Sequence, residues 1–109
     1  MQRLPKQLAA TELTTSTVVQ YTAPANTRTT VSAASVTNKT GTARYYTVTI
    51  TPLGGSARYV AYQLVVAAGK TVIVTGLIGQ TLDSGGVISA LAEANSALDF
   101  VMSGYETNP

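Results

Sequence analysis

The sequence predicts an all-β fold: a single antiparallel β-sandwich, jelly-roll or immunoglobulin-like, of seven to eight strands with an N-terminal arm. Three observations predict it. Short runs rich in Thr, Val, Tyr and Ala recur at a spacing of roughly 8–12 residues, with Pro, Asn and Gly turn signals between them. Thr, Ser and Val fill the place of charge, which falls to 11% of the 109 residues; Thr and Val are stiff at χ1 and suit a pleated, half-buried surface. Hydrophobic residues make up 45%, enough for one modest core and too many for a disordered tail.

At the start of the chain, Leu4-Pro5 is a break, and KQLAATEL is too short to hold as a helix alone. Residues 1–16 are therefore set apart as an arm. It is either a loosely held terminus or a segment carrying Arg3 and Leu4 that docks on a neighbouring subunit. The sandwich domain is expected over 17–109. TVVQYTA (17–23) alternates and stops at Pro24-Ala25-Asn26, a turn. RTTVSAASVTN (28–38) puts Ser32, Ala34 and Val36 on one face but Val31 and Ala33 on the other, which calls for a bulge or burial of both faces. NKTGT (38–42) reads as a hairpin turn, with Gly41 free to take a positive φ.

ARYYTVTITP (43–52) is the cleanest strand, with Tyr46, Val48 and Ile50 on one face and Tyr45, Thr47, Thr49 and Thr51 on the other. The same alternation in ARYVAYQLVV (57–66) puts Tyr59, Ala61, Gln63 and Val65 opposite Val60, Tyr62, Leu64 and Val66. AAGK turns the chain into TVIVTG (71–76), and LIGQTLDSGG (77–86) is a glycine-rich loop. The Ala, Leu and Glu of 88–101 admit a helix. Val87-Ile88 and Phe100-Val101-Met102 favour strands instead, so two strands are expected, about 87–93 and 97–105, joined at Ala94-Asn95-Ser96.

The chemistry is sparse. With no His, Cys or Trp, the chain offers no imidazole base, no thiol and no Ser-His-Asp triad. The carboxylates are Glu12, Asp83, Glu93, Asp99 and Glu106, and nothing in their spacing sets two of them around a bond. LDSGG offers one carboxylate where calcium takes about six to eight oxygens, so Asp83 reads as a turn residue. The expectation is a protein that is not an enzyme and has no catalytic residue, cofactor, metal or small-molecule substrate. GLIG (76–79) matches a GxxG loop but lacks the helices and basic flanks of an RNA-binding module. Asn38-Lys39-Thr40 fits the glycosylation sequon, and the turn reading is preferred there. Net charge is +2, and the seven basic residues are scattered, so no nucleic-acid partner is expected. No apolar run approaches about 18 residues and the first residues lack an apolar core, so neither a membrane partner nor a signal peptide is expected.

One skew stands out: six tyrosines against a single phenylalanine. Tyr45, Tyr46, Tyr59 and Tyr62 flank a hairpin together with Arg44 and Arg58. Tyr and Arg are favoured at protein interfaces, which makes Arg44, Tyr45, Arg58, Tyr59 and Tyr62 candidate interface residues alongside Arg3 and Leu4. The other reading is that the rings edge the core with their hydroxyls in water.

The order of these elements resembles a small β-sandwich structural protein of tailed bacteriophages. The resemblance runs over about 17–106 and rests on turn and strand patterns. Its residues are Tyr21, Pro24, Ala25, Asn26 and Arg28; Val36, Asn38, Gly41 and Ala43; Ala68-Gly69-Lys70; and Ser103, Gly104 and Glu106. Tyr105 departs from the pattern, which has a small apolar residue there. The resemblance implies a virion structural protein at the neck or collar, on the capsid as a decoration, or at a fibre. It would partner itself as a homo-oligomer and other virion proteins, and would be assembled in the host bacterial cytoplasm. The alternatives are a receptor- or carbohydrate-binding module of a tail fibre, for which Tyr45, Tyr59 and Tyr62 with Arg44 and Arg58 are the candidates, and a pilus or surface-layer component.

Overall fold

The computed structural model describes residues 2–108, and all regular structure among them is β. The strands are β1 (Gln2–Glu12), β2 (Val18–Thr22), β3 (Arg28–Asn38), β4 (Arg44–Thr51), β5 (Arg58–Val66), β6 (Thr71–Ile73), β7 (Thr81–Leu82), β8 (Val87–Ala92) and β9 (Leu98–Asn108). They form two antiparallel sheets, one in the order β1-β9-β3-β6 with β7 also on β3, the other β2-β8-β4-β5. Thr71–Ile73 pairs with Ser35–Thr37, and Thr81–Leu82 pairs with Thr29–Thr30. Because β9 occupies the other edge of β3, β6 and β7 are two pieces of one interrupted strand. Counted that way, the first strand pairs with the last, the second with the next to last, the third with β6/β7 and the fourth with β5. That is a long hairpin rolled up on itself, the jelly roll, and it settles the choice against the immunoglobulin-like alternative. The 87–105 region is two strands, without a helix.

Most turns read from the sequence carry the chain across the sandwich. Only β4 and β5 are successive strands that pair as a hairpin. NKTGT is thus a corner between sheets, and Asn38 is its plug. The buried Asn38 amide donates to the carbonyls of Thr42 (2.8 Å) and Val66 (2.9 Å) and accepts from the N–H (2.9 Å) and hydroxyl (2.6 Å) of Thr40. All four of its hydrogen-bonding positions are filled, which lets a polar side chain sit at 0% exposure. Ala94-Asn95-Ser96 likewise joins strands of opposite sheets, with Ser96 at φ 59°.

β3 contains the expected bulge. Val31 pairs with Gly104 and Ala33 with Ser103, leaving Ser32 extra. The bulge reverses the pleat, so Thr29 and Val31 below it and Ala34, Val36 and Asn38 above it all face the core. β1 bulges at Leu8 against the same part of β9, with Gln7 opposite Ser103 and Ala9 opposite Met102. The sheet therefore bends across Ser103-Gly104. At this bend β3 comes so near that a Cβ on Gly104 would lie 2.0 Å from the Thr30 carbonyl oxygen. GLIG serves packing in the same way: a Cβ on Gly76 would lie 2.1 Å from the Val60 carbonyl oxygen, and Leu77 is buried.

The core lies between the sheets. Val31 and Val36 of β3 and Leu98, Phe100 and Met102 of β9 face Tyr46 and Val48 of β4 and Ile88 of β8, all buried. Burying a side chain such as Phe100 stabilises the fold by about 2–3 kcal/mol. The residues set apart as an arm belong to this body. β1 pairs with β9 from Gln2↔Asn108 to Glu12↔Asp99; Leu8, Ala9 and Leu13 are buried; and the Leu13 N–H donates to the Leu98 carbonyl (2.9 Å). The boundary at 16/17 therefore does not divide the sandwich. Pro5 hides this strand from a sequence reading, because proline donates no hydrogen bond and is accepted only where a strand has a free edge. Met1 and Pro109 lie outside the described residues.

Two outcomes follow from this packing. Gly104→Ala is expected to cost about 2–4 kcal/mol in urea unfolding, because its new methyl must push β3 off β9. A protein lacking residues 1–12 is expected to lose its cooperative thermal transition in circular dichroism, since β9 loses a full-length neighbour and the core loses Leu8 and Ala9.

Candidate functional site

The described surface has one concave region built around aromatic rings, on the outer face of the β2-β8-β4-β5 sheet. Tyr45, Thr47 and Thr49 point outward from β4 by simple alternation. β8 places Leu91 opposite Thr47 and Ser89 opposite Thr49. β5 does not alternate. Tyr46 pairs with Leu64 and Val48 with Ala61, so Tyr62 and Gln63 together oppose Thr47; Thr49 then pairs with Tyr59, leaving Val60 extra. At the first of these bulges Gln63 takes φ 48°, and its N–H donates to the Thr47 hydroxyl (3.1 Å). The two irregularities overturn the facing expected from the sequence. Tyr59 and Tyr62 meet edge to face, ring centroids 4.7 Å apart and planes at 68°. Between the rings and the Thr47, Thr49 and Ser89 floor lies a groove of about 400 Å³ with no charged side chain in its lining.

Of the candidate interface residues, the structure brings together Tyr45, Tyr59 and Tyr62 at this groove. The two arginines do not line it. Arg44 lies 3.8 Å from Glu93, with its Nε buried and without a hydrogen-bond partner, while Glu93 also accepts the Tyr45 N–H (3.2 Å). Arg58 is exposed at the start of β5. Leu4 is exposed on β1, in the other sheet, where Arg3 pairs through its backbone with Thr107; the Arg3 side chain lies outside the described residues. Sequence reasoning missed Ser89, Leu91 and Gln63 as members of the groove. The one available signal was Gln63, a long amide interrupting the apolar run YVAYQLVV.

The carboxylates are committed elsewhere. Asp83 pairs with Arg28 (3.1 Å) on the surface, and Lys39 bridges Asp99 (3.0 Å) and Glu12. The hydrogen bond from Lys39 holds the Glu12 carboxyl below its usual range and raises the lysine. Glu106 accepts from Lys6 (3.2 Å) and from the buried phenol of Tyr21 (2.5 Å), which also shares a hydrogen bond with Thr29 (2.7 Å). Burial, and then the bond to Glu106, push the Tyr21 phenol up to about 12, and the same bond from Tyr21 holds Glu106 low. Every one of these acids faces a cation, and Glu12 and Asp99, opposite each other on β1 and β9, share one. Among the described residues no group of three metal-ligating side chains gathers.

No family model and no curated protein matches the chain. Solved structures of a virus do. A chain in the structure of the infectious bursal disease virus Gx strain is similar over 96% of this protein, with TM-score 0.53 and 13% identity. A chain in the crystal structure of the T13 infectious bursal disease virus particle is similar over 98%, with TM-score 0.53 and 11% identity. This chain spans about a third of the length of each, 32% and 31%. At such identity the likeness is one of fold: the sandwich seen here is an architecture found in chains of a viral particle.

The Tyr21–Glu106 contact sets an alkaline limit. The Tyr21 phenol titrates higher folded than its ordinary 10.0, so its contribution is complete below about pH 10 and is lost as pH rises towards 12. Thermal melts across pH 9–12 are expected to fall more steeply for the wild type than for Tyr21→Phe. On the acid side, Glu106 is held low, so its contribution is present above the ordinary carboxylate range and lost as pH falls through its folded value. Glu106→Gln is expected to flatten that acid limb and to cost about 1–2 kcal/mol at neutral pH.

Proposed function

We propose that the protein is a non-enzymatic structural component of a virion, present in many copies. The observation that carries this reading is the likeness of fold, over nearly the whole chain, to chains of a viral particle. The commitment of the acids to ion pairs is compatible with it. The sequence resemblance to tailed-bacteriophage structural proteins supports a narrower reading: a place at the neck or collar, or on the capsid surface, after assembly in the host bacterial cytoplasm.

The edges of the sandwich bear on how copies meet. β1 carries Pro5, Lys6 and a bulge; β2 is five residues long with an irregularity at Gln20; β5 bulges twice; β6 and β7 are short and interrupted. Each is a way of spoiling an edge for pairing with another strand. Contact between copies is therefore assigned to a face. The outer face of the β1-β9-β3-β6 sheet suits it, with Ile73, Ile78 and Val101 exposed around a shallow apolar hollow of about 360 Å³ floored by small residues such as Ala33 and Ser35.

Gold-labelled antibody on intact phage particles, viewed by negative-stain electron microscopy, tests the role. Label at the head–tail junction is the collar outcome, label over the capsid the decoration outcome. Absence of the protein from purified particles by mass spectrometry would sink the reading. For the face, Val101→Asp is expected to shift sedimentation velocity towards monomer while moving stability by no more than about 0.5 kcal/mol, the usual range for a surface change.

A further inference from the structure

Beyond a structural role, we propose that the tyrosine-lined groove on the outer face of the β2-β8-β4-β5 sheet binds a neutral saccharide. Its construction is the first argument. Regular alternation in β5 would put Tyr59 and Tyr62 on opposite sides of the sheet; the extra residue Val60 brings them onto the same side, and a second bulge adds Gln63 beside them. One bulge holds Gln63 at φ 48°, a conformation that suits glycine and strains a residue with a side chain. Local strain of this kind concentrates where a structure must present a group in a set direction. The bulges return Val60 and Val66 to the core side, while the rings stay in the open: Tyr59 is 64% exposed and Tyr62 56%.

The chemistry of the lining selects the ligand. The rings of Tyr45, Tyr59 and Tyr62 supply apolar faces with polar tips, against which the C–H face of a sugar ring can lie. The hydroxyls of Thr49 and Ser89 and the Gln63 amide supply uncharged donors and acceptors for sugar hydroxyls. A wholly apolar ligand would leave those hydroxyls without partners. An anionic ligand would find no cation, since Arg44 is turned to Glu93 and Arg58 stands outside the lining. A polyhydroxyl molecule with one apolar face and no charge meets both conditions. The volume, about 400 Å³, lies within the range of small-ligand pockets and holds one or two sugar rings. An extended peptide adding to β5 is disfavoured, because the bulges break the ladder such a strand would need.

The test is an array of neutral oligosaccharides (glucans, mannans and galactans) beside sialylated and sulfated ones, probed with the full-length protein and followed by titration of the best neutral disaccharide. The expected result is retention on neutral sugars only. Tyr59→Ala and Tyr62→Ala should each lower affinity at least about tenfold with the melting temperature unchanged, and Tyr59→Phe, which keeps the ring, should retain most of it. The proposal is overturned if no neutral sugar is retained, if anionic sugars bind better, or if the alanine variants bind like the wild type. It is equally overturned if Tyr59→Ala converts an oligomer to monomer in sedimentation, since the groove would then be covered by a second copy. None of these failures touches the virion reading, which rests on the fold.

Discussion

The last strand of the chain is the member on which the rest of the sandwich depends. β9 lies between β1 and β3 and pairs with both along nearly its whole length. It also supplies Leu98, Phe100 and Met102 to the core at 0% exposure. Its Gly104 sits where both neighbours bulge, and the absence of a side chain there lets the Thr30 carbonyl approach. The first strand therefore closes onto the last, and the fold cannot complete from either end alone. With most pairings joining strands distant in sequence, loop-closure entropy must be met before the ladders form, which places the protein among slow-folding topologies.

Bulges are the device that turns a regular β pattern into this shape. In the β1-β9-β3-β6 sheet they act on the core side: one extra residue in β3 brings Thr29, Val31, Ala34, Val36 and Asn38 to a single face. In β5 the same device acts on the solvent side, where it pairs Tyr59 with Tyr62 and opens a groove. It also spoils β5 as a pairing edge. The irregularities of β5 thus shape the groove and guard a strand that would otherwise be open to a stranger.

Charge plays a small and local part. Each acid is matched to a cation, and most of these pairs are solvent-exposed, where an ion pair is worth little. The exception is the end of the sandwich at Tyr21, where a phenol shielded from water donates to Glu106 and ties β2 of one sheet to β9 of the other. With so little charge outside, the surface chemistry is left to hydroxyls, tyrosines and small apolar side chains, suited to packing against neighbours and to uncharged ligands.

The sequence by itself determined the class of the fold, the position of most strands and the poverty of reactive groups. Those properties live in composition and in period-two alternation, which are local. It also flagged the β3 bulge, because Val31 and Val36 could not share a face without one. Three matters were decided only by tertiary structure. Turn residues such as Asn38 and Asn95 announce that the chain reverses but not whether it returns to the same sheet, so corners read as hairpins. Residues 2–12 lack an apolar period and carry Pro5, so their strand exists only because β9 offers an edge to pair with. The meeting of Tyr59 and Tyr62 depends on a slip of register against β4. Register is a property of two strands together, and neither strand's sequence contains it alone.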